Sequence, residues 1–459
     1  MRVILADLKS AEGLVAKDTV AGGYGSRFVP FSHVTRVYCH FKERRIELPS
    51  IQMGYLAAIL SGGGHDVAFT RGALPAGDVA LVLSSLVDYR RETRWADEAR
   101  RRGTRVGFVG LACSKMPELF RDHADFLILG EPEAAAIRLS NGESLSGLVP
   151  SPPAADLDSI PFPRWTMFED ADRSWRSGGR RRFPVLASRG CTEFCTYCPH
   201  RILAGYRSRS VRNVADELDQ LCDRYHRPHI VFRDPLFTQD RERCLNLCDE
   251  IRSRGLSFTF DCETRLDNLD SGLLAVMRQT GLRAVTFGVE SIDRETLRRV
   301  ARRPIPETHQ RAIIDECNRR GIGTVAYYVF GFQPDDWTTI SATIEYSIAL
   351  GTTIAQYKLL TPYPGTPMWK QYASSVFEKD WQKFDGYTPT FHHPNLKPEE
   401  LRFLLGAAYA RFYARPGWLA NYWNLRGNFS DPLLRRMDRK VLKWHAEKEV
   451  SLVSRAAEC

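Results

Sequence analysis

From Phe183 onward the chain repeats one unit, a short apolar run that reads as a buried strand followed by a helical stretch. FPVLASRG, IVFRDPLF, FTFDCETR, AVTFGVES, TVAYYVFGF and AQYKLLTPY are six such runs, separated by segments such as NVADELDQLCDRYH and SGLLAVMRQTG. Parallel strands need a crossover between them, and crossovers within one sheet are right-handed, so six in series curl into a partial barrel of (βα)6 type. Polar residues at the strand ends then face one mouth. Asp234, Asp261, Glu263, Tyr357, Lys358 and Tyr363 stand at such ends and are the substrate-side candidates.

The first 150 residues alternate the same signals. VILADL, HDVAFTRG, DVALVLSS, TRVGFVG and DFLILG read as strands, and PSIQMGYLAAILSGGG and RRETRWADEARRRG as helices. That is a doubly wound, Rossmann-like α/β layout with a mostly parallel sheet. Its ligands belong at the carboxyl ends of the strands, where SSL, GLACSKMPE and GEPE lie. VPSPPAADLDSIPFPRW carries five prolines without periodicity and reads as a linker. The expected division is therefore a Rossmann-like domain over 1–150, a linker over 151–182, the barrel over 183–391 and a helical region over 392–459.

No window approaches the roughly 20 apolar residues of a membrane helix, and MRVILADLKS lacks the pattern of a signal peptide, so a cytoplasmic location is expected. Eleven cysteines in that compartment mean reduced thiols or metal ligands rather than disulfides. Cys244 and Cys248, one helical turn apart, read as half-buried small hydrophobes. The net charge of +9 comes from scattered arginine patches without interleaved aromatics, so neither nucleic acid nor a membrane is an expected partner.

The chemistry sits in CTEFCTYC, directly after the first barrel strand. Three thiolates at Cys191, Cys195 and Cys198 can hold one [4Fe-4S] cluster and leave one iron open to a small chelating molecule. A tetrahedral zinc would need a fourth ligand, for which His200 is the alternative, but zinc sites usually pair their ligands as two separated couples.

This C-x3-C-x2-C loop, with Tyr197 before its last cysteine, resembles that of the radical S-adenosylmethionine (SAM) enzymes. FRDPLF (232–237), TRLDNLDSGLLAVMRQTGLRAVTFGVES (264–291), LTPYPGTPMW (360–369), GEPE (130–133) and SIPFPRW are similar to the subfamily with an N-terminal cobalamin-binding-type domain, over about residues 1–400. The resemblance implies that SAM chelates the open iron and that an electron from the cluster cleaves it to a 5'-deoxyadenosyl radical, which takes a hydrogen from the substrate. It also implies that Arg265 meets the SAM carboxylate, Glu290 and Ser291 its ribose and amino group, and Gly331 and Phe332 its adenine. At the last place FGFQPDD stands where the family often has a glycine–proline pair.

Whether cobalamin is a further cofactor turns on the N-terminal loops. The DxHxxG cobalt-ligating motif is absent, Gly110 is followed by Leu111 where relatives tend to carry a second glycine, and SSLVDYRRE puts bulky and charged residues where a corrin wants small ones. Cobalamin stays open but disfavoured. The compact length, KDTVAGGYGSRF (17–28) and the short C-terminal region are similar to the radical SAM diol-dehydratases of aminoglycoside pathways, the apramycin-pathway C3'-deoxygenase type. That likeness implies antibiotic biosynthesis and a paromamine-like substrate, which loses a hydrogen and then its neighbouring hydroxyl as water. It calls for a general acid and base, with Asp234, Glu263 and Tyr357 as catalytic candidates and Asp261 as a further carboxylate. It calls for an electron donor such as flavodoxin or ferredoxin, and for an NAD(P)H-dependent dehydrogenase that reduces the resulting ketone. KDTVAGGYGSRF is a candidate lid. The alternatives are a cobalamin-dependent radical SAM C-methyltransferase and a non-catalytic iron–sulfur or zinc module.

Overall fold

The computed structural model describes residues 1–10, 12–17, 23–32, 34–36, 38–39, 48–169, 176–177, 180–202 and 205–415. Arg2–Ala6 (β1), Leu14–Ala16 (β2), Ser26–Phe28 (β3), Asp66–Thr70 (β4), Val79–Leu83 (β5), Arg105–Val109 (β6), Phe126–Gly130 (β7) and Gly147–Ser151 (β8) are the N-terminal strands. Six of them form one parallel sheet in the order β4-β1-β5-β6-β7-β8. Every residue of β5 is buried, as a central strand covered on both faces requires. The helix Ile51–Gly62 begins where Ser50 accepts from the Met53 backbone N–H, and Tyr89–Arg101 and Glu133–Ser140 follow β5 and β7.

Two features depart from the expected layout. The proline run starts inside the sheet: Val149 and Pro150 belong to β8, which pairs only with β7, and an edge strand tolerates a proline that a central one would not. The segment between β1 and the first helix forms an antiparallel β2–β3 hairpin. Lys17 of its first arm pairs with Glu92 at 2.7 Å and Arg27 of its second with Asp88 at 2.6 Å. Those carboxylates come from SSLVDYRRE, so the bulky, charged stretch holds the hairpin down. Residues 18–22 of the candidate lid lie outside the described residues.

The second sheet contains Arg176–Ser177 (β9), Arg180–Val185 (β10), His229–Phe232 (β13), Thr259–Thr264 (β14), Leu282–Glu290 (β15), Gly323–Phe330 (β16) and Ile354–Leu359 (β17), with Ser188–Arg189 (β11) and Arg207–Ser208 (β12) as a separate hairpin. β10, β13, β14, β15, β16 and β17 lie side by side in chain order and all parallel, with β9 antiparallel on the outside. This is the expected partial (βα)6 barrel. Its open edge at β17 is closed by the helix Pro398–Tyr413. The Tyr413 hydroxyl donates to the Ala355 carbonyl at 2.6 Å and the Tyr409 hydroxyl to the Tyr357 carbonyl at 3.1 Å, occupying ladder groups that an edge strand would leave bare. Residues 416–459 of the expected helical region lie outside the described residues. No helix among the described residues is long and apolar enough to cross a membrane.

Candidate active site

The cysteine loop is an excursion between β11 and β12, closed at its base by the pairing of Ser188 with Ser208 and Arg189 with Arg207. Asp234, at the end of β13, accepts from the Ala187 N–H at 3.0 Å and from the Ser188 hydroxyl at 2.5 Å. Further along, Thr196 donates its N–H to the Val300 carbonyl and accepts from the Met368 N–H, and the Tyr197 ring meets Phe332 edge-on at 5.6 Å. The three thiols lie near enough to one another for Cys198 to feel the charge of Cys195 and of Cys191. Burial lifts Cys191 above its ordinary value against the Glu193 N–H, with the Cys195 thiol adding to the rise, and burial lifts Cys198 to about 12. A positively charged iron core relieves that penalty. N–H groups already face the sulfurs: Glu193 N donates to Cys191 Sγ at 3.4 Å, and Arg302 Nη1 to Cys195 Sγ at 3.8 Å. Three thiolates met by N–H donors are a donor set that would fit an iron–sulfur cluster, held by Cys191, Cys195 and Cys198.

Beside the cluster loop, β15 ends in an unusual turn. Glu290 has φ +67°, in the left-handed region that non-glycine residues rarely adopt. Its carboxylate lies 3.4 Å from Arg302, and a Cβ on Gly288 would stand 2.0 Å from Glu290 Oε1 and 2.8 Å from Arg302 Nη2. The glycine of GVES thus makes room for the pair. Arg302 had been hidden in RRVARRP, which reads as a surface charge run; no periodicity singles it out, yet it is buried and touches Cys195, Glu290 and the Gly288 carbonyl.

A cavity of about 310 Å³ opens from Cys198 across the barrel mouth, walled by Glu263, Glu290 and Lys358 and continuing to Asp7 at the end of β1. Glu263 pairs with Arg233, which shares the wall. Asp261 lies deeper, 3.0 Å from His229 Nε2; burial raises its carboxyl, and His229 and Arg182 outweigh that to hold it low. The Lys358 ammonium has no hydrogen bond among the described residues, and burial pushes it below the ordinary lysine range against the pull of Asp385, Glu290 and Glu263.

Several expected residues lie off this wall. Tyr357 points to the opposite face of β17 from Gln356 and Lys358, because alternate residues of a strand do; it stacks on Tyr328 at 5.2 Å and bonds Ser347 at 2.6 Å. Asp234 is fully buried behind the loop root. Arg265 is buried and bidentate to Asp267 at 2.9 Å, not a surface pair, and its Nη1 has no hydrogen-bond partner while lying 3.5 Å from Glu193 of the cysteine loop. Ser291 accepts from the Asp293 N–H, and Gly331, at φ +92°, donates to Asp335 at 2.9 Å. Tyr363 lines the cavity and stacks on Tyr24 at 5.2 Å.

The place where a corrin was sought is filled. At the carboxyl ends of β5 and β6, Tyr24, Leu86, Leu111 and Phe384 belong to one buried cluster. A Cβ on Gly23 would stand 2.7 Å from Leu111, and the Tyr24 hydroxyl donates to the Pro364 carbonyl of the barrel at 2.5 Å. These residues do not fit cobalamin at that place.

Comparison with known proteins places this geometry. The model of the radical SAM superfamily matches residues 185–345. An uncharacterised methyltransferase of Pyrococcus horikoshii is 26% identical over 303 residues, which cover 65% of this chain and 65% of the relative's own length. Among solved structures, the methyltransferase TsrM from Kitasatospora setae, with cobalamin and a [4Fe-4S] cluster bound, superposes with a TM-score of 0.62 at 14% identity, covering 89% of this chain and 90% of that one. The cobalamin-dependent enzyme OxsB, with aqua-cobalamin and SAM bound, gives 0.68 at 13% identity, covering 97% and 71%. At those identities the likeness is one of fold. The three-cysteine loop and four of the six parallel strands, β13 to β16, fall within the stretch 185–345 that matches the radical SAM superfamily.

Proposed function

We propose that the protein cleaves SAM reductively at a [4Fe-4S] cluster held by Cys191, Cys195 and Cys198, and that the resulting 5'-deoxyadenosyl radical removes a hydrogen from a small polar substrate in the adjoining cavity. The observation that carries this reading is the opening of that cavity on Cys198 beside Glu290, Glu263 and Lys358. When bound, the cluster supplies the electron; the chain's own residues position and protonate. Arg265, whose Nη1 has no hydrogen-bond partner among the described residues, and Glu290, Ser291 and Gly331 around the cysteine loop, are the residues proposed for SAM. Glu263 and Lys358 are those proposed on the substrate side.

The finer reading is dehydration of an aminoglycoside-type sugar. After hydrogen removal from a carbon bearing a hydroxyl, that hydroxyl gives up its proton while the neighbouring one takes a proton and leaves as water. One more electron and proton, from the external reductant, complete a ketone. Support for chemistry without cobalamin comes from Tyr24 and Leu111 filling the N-terminal site. The second reading, methyl transfer, is favoured by the relatives, since the P. horikoshii protein and TsrM are named methyltransferases; those names support it more directly than they support dehydration.

Mass spectrometry of anaerobic incubations with SAM, dithionite and paromamine separates the two, because loss of water and gain of a methyl differ plainly. Formation of 5'-deoxyadenosine by the wild type and its loss in Cys191→Ala, Cys195→Ala and Cys198→Ala are expected. Activity surviving in any of the three overturns the cluster assignment, and cobalamin held through gel filtration overturns the first reading in favour of the second.

A further inference from the structure

The cavity does not end in the barrel. It runs from Cys198 to the carboxyl end of β1, where Asp7, Lys9 and Lys17 of the N-terminal domain wall it. This is where an open parallel sheet presents its ligands, and the neighbouring places over β5 and β6 are filled by Leu111 and Tyr24. Asp7 follows β1, a strand flanked by β4 and β5, and its backbone N–H is fixed on the Thr70 carbonyl at 3.1 Å. The residue is 2% exposed, yet its Oδ1 has no hydrogen-bond partner among the described residues. Lys17 does not serve it, because the Lys17 ammonium is bonded to Glu92 and to the Leu8 carbonyl. A buried carboxylate oxygen without a donor costs free energy in the empty protein, and a ligand that brings the donor recovers it.

We propose that Asp7 is a substrate-binding residue, and that the N-terminal domain, in place of a cofactor, holds the far end of an amino polyol whose reacting carbon lies at the barrel mouth. The inference rests on the radical SAM reading above and deepens it by naming the group that recognises the substrate. Burial raises the Asp7 carboxyl, and Lys9, Arg71 and Lys17 outweigh it and keep the group ionised, so it offers an acceptor and never a donor. With cations already around it, what Asp7 lacks is a donor hydrogen, and a sugar hydroxyl and an ammonium both supply one.

The test is equilibrium binding of paromamine to the cluster-reconstituted, SAM-loaded protein without reductant, in the wild type, Asp7→Ala and Asp7→Asn. Asp7→Ala is expected to weaken binding about tenfold or more, with iron content and melting temperature matching the wild type. Asp7→Asn keeps an acceptor and loses the charge. Binding nearer the wild type in Asp7→Asn identifies a hydroxyl as the donor; a loss equal to that of alanine identifies an ammonium. Wild-type protein that does not bind paromamine, or an alanine variant that binds it as the wild type does, overturns the proposal. Formation of 5'-deoxyadenosine is read separately, so a wild type that binds paromamine without cleaving SAM overturns the proposed activity and leaves this inference standing.

Discussion

Lys358 is a cation that the barrel surrounds without bonding: it lines the cavity, has no ion pair among the described residues, and lies 5.7 Å over the Tyr387 ring. Burial lowers its ammonium below the ordinary range, so the folded chain disfavours the proton that the unfolded chain keeps up to about pH 10.4. The penalty is fully present below the folded value and fades as pH rises toward the unfolded one. Lys358→Met, which keeps the stem and removes the charge, is expected to gain about 1 kcal/mol at neutral pH, and the gain is expected to vanish in alkaline solution. Urea unfolding of both proteins across that range checks it; equal stabilities throughout would show that the lysine costs the fold nothing. Asp234 behaves in the opposite way. Its two oxygens take the Ala187 N–H and the Ser188 hydroxyl, so Asp234→Ala strands two buried donors and should cost about 2 kcal/mol, read as a lower melting temperature with less iron bound per chain. The sequence marks both residues as polar at strand ends, and for Lys358 the period of two also gives the correct face. It misplaces Tyr357 because the reading put neighbouring positions of one strand in the same mouth. Asp234 lies beyond the last paired residue of β13, where alternation no longer dictates direction.

Among elements, strands of the two parallel sheets were legible because each is a short apolar run, buried throughout in β5 and on alternate positions in β16 and β17, and the helices because their apolar positions follow the helical period. The β2–β3 hairpin was not, since three-residue strands hold no period and their glycines read equally well as a loop. What holds it is long-range. Lys17 sits between Glu92 at 2.7 Å and Asp88 at 3.8 Å, all three buried, and Ser85 donates to Glu92 at 2.6 Å through its hydroxyl. Lys17→Met leaves buried Glu92 without its cation, while Asp88 keeps Arg27, and is expected to cost about 3 kcal/mol, whereas an exposed pair such as Arg311–Glu307 would lose almost nothing; melts of Lys17→Met and Arg311→Met compare them directly. The turn after β16 carries its own pH signature. Burial raises the Asp335 carboxyl to about 7, against the Gly331 and Phe332 N–H groups that favour its charged form. The unfolded chain releases that proton near pH 3.9, so between about 4 and 7 the folded chain binds more protons and this residue's contribution falls as pH rises. Asp335→Asn retains an acceptor for both N–H groups and removes the titration. The variant is expected to gain on the wild type between pH 5 and pH 8 by roughly 1 kcal/mol or more, and a constant difference across that interval would contradict it.

At the scale of the molecule, the N-terminal domain reaches the cluster loop through GEPE. Glu131 accepts from Arg189 at 3.1 Å and from Arg207, while Glu133 accepts from Arg189 at 2.8 Å, and Arg189 also lies over the Tyr55 ring at 5.0 Å. Arg189 and Arg207 are paired neighbours on β11 and β12, so a carboxylate of one domain clamps both arms of the loop that carries the three cysteines of the other. The sequence shows GEPE at a strand end and the arginines beside the cysteines, but nothing periodic relates residues so far apart, and the fold alone brings them together. The arrangement ties the strand end after β7 of the first sheet to the root of the cysteine loop. Glu131→Gln keeps the shape and leaves two largely buried guanidinium groups short of charge, at a cost of about 3 kcal/mol. Because that loss falls on the root of the loop and not on the thiols, the variant is expected to take up iron more slowly and hold less per chain than the wild type, with the three cysteines intact. Glu133→Gln removes one of two bonds to Arg189 and none to Arg207, so its effect should be the smaller. Iron and sulfide assays after parallel reconstitution, with the cluster's visible absorption, read both variants. Equal loading in Glu131→Gln and the wild type would mean that the barrel orders its cysteine loop unaided and that the N-terminal domain contributes only to the cavity.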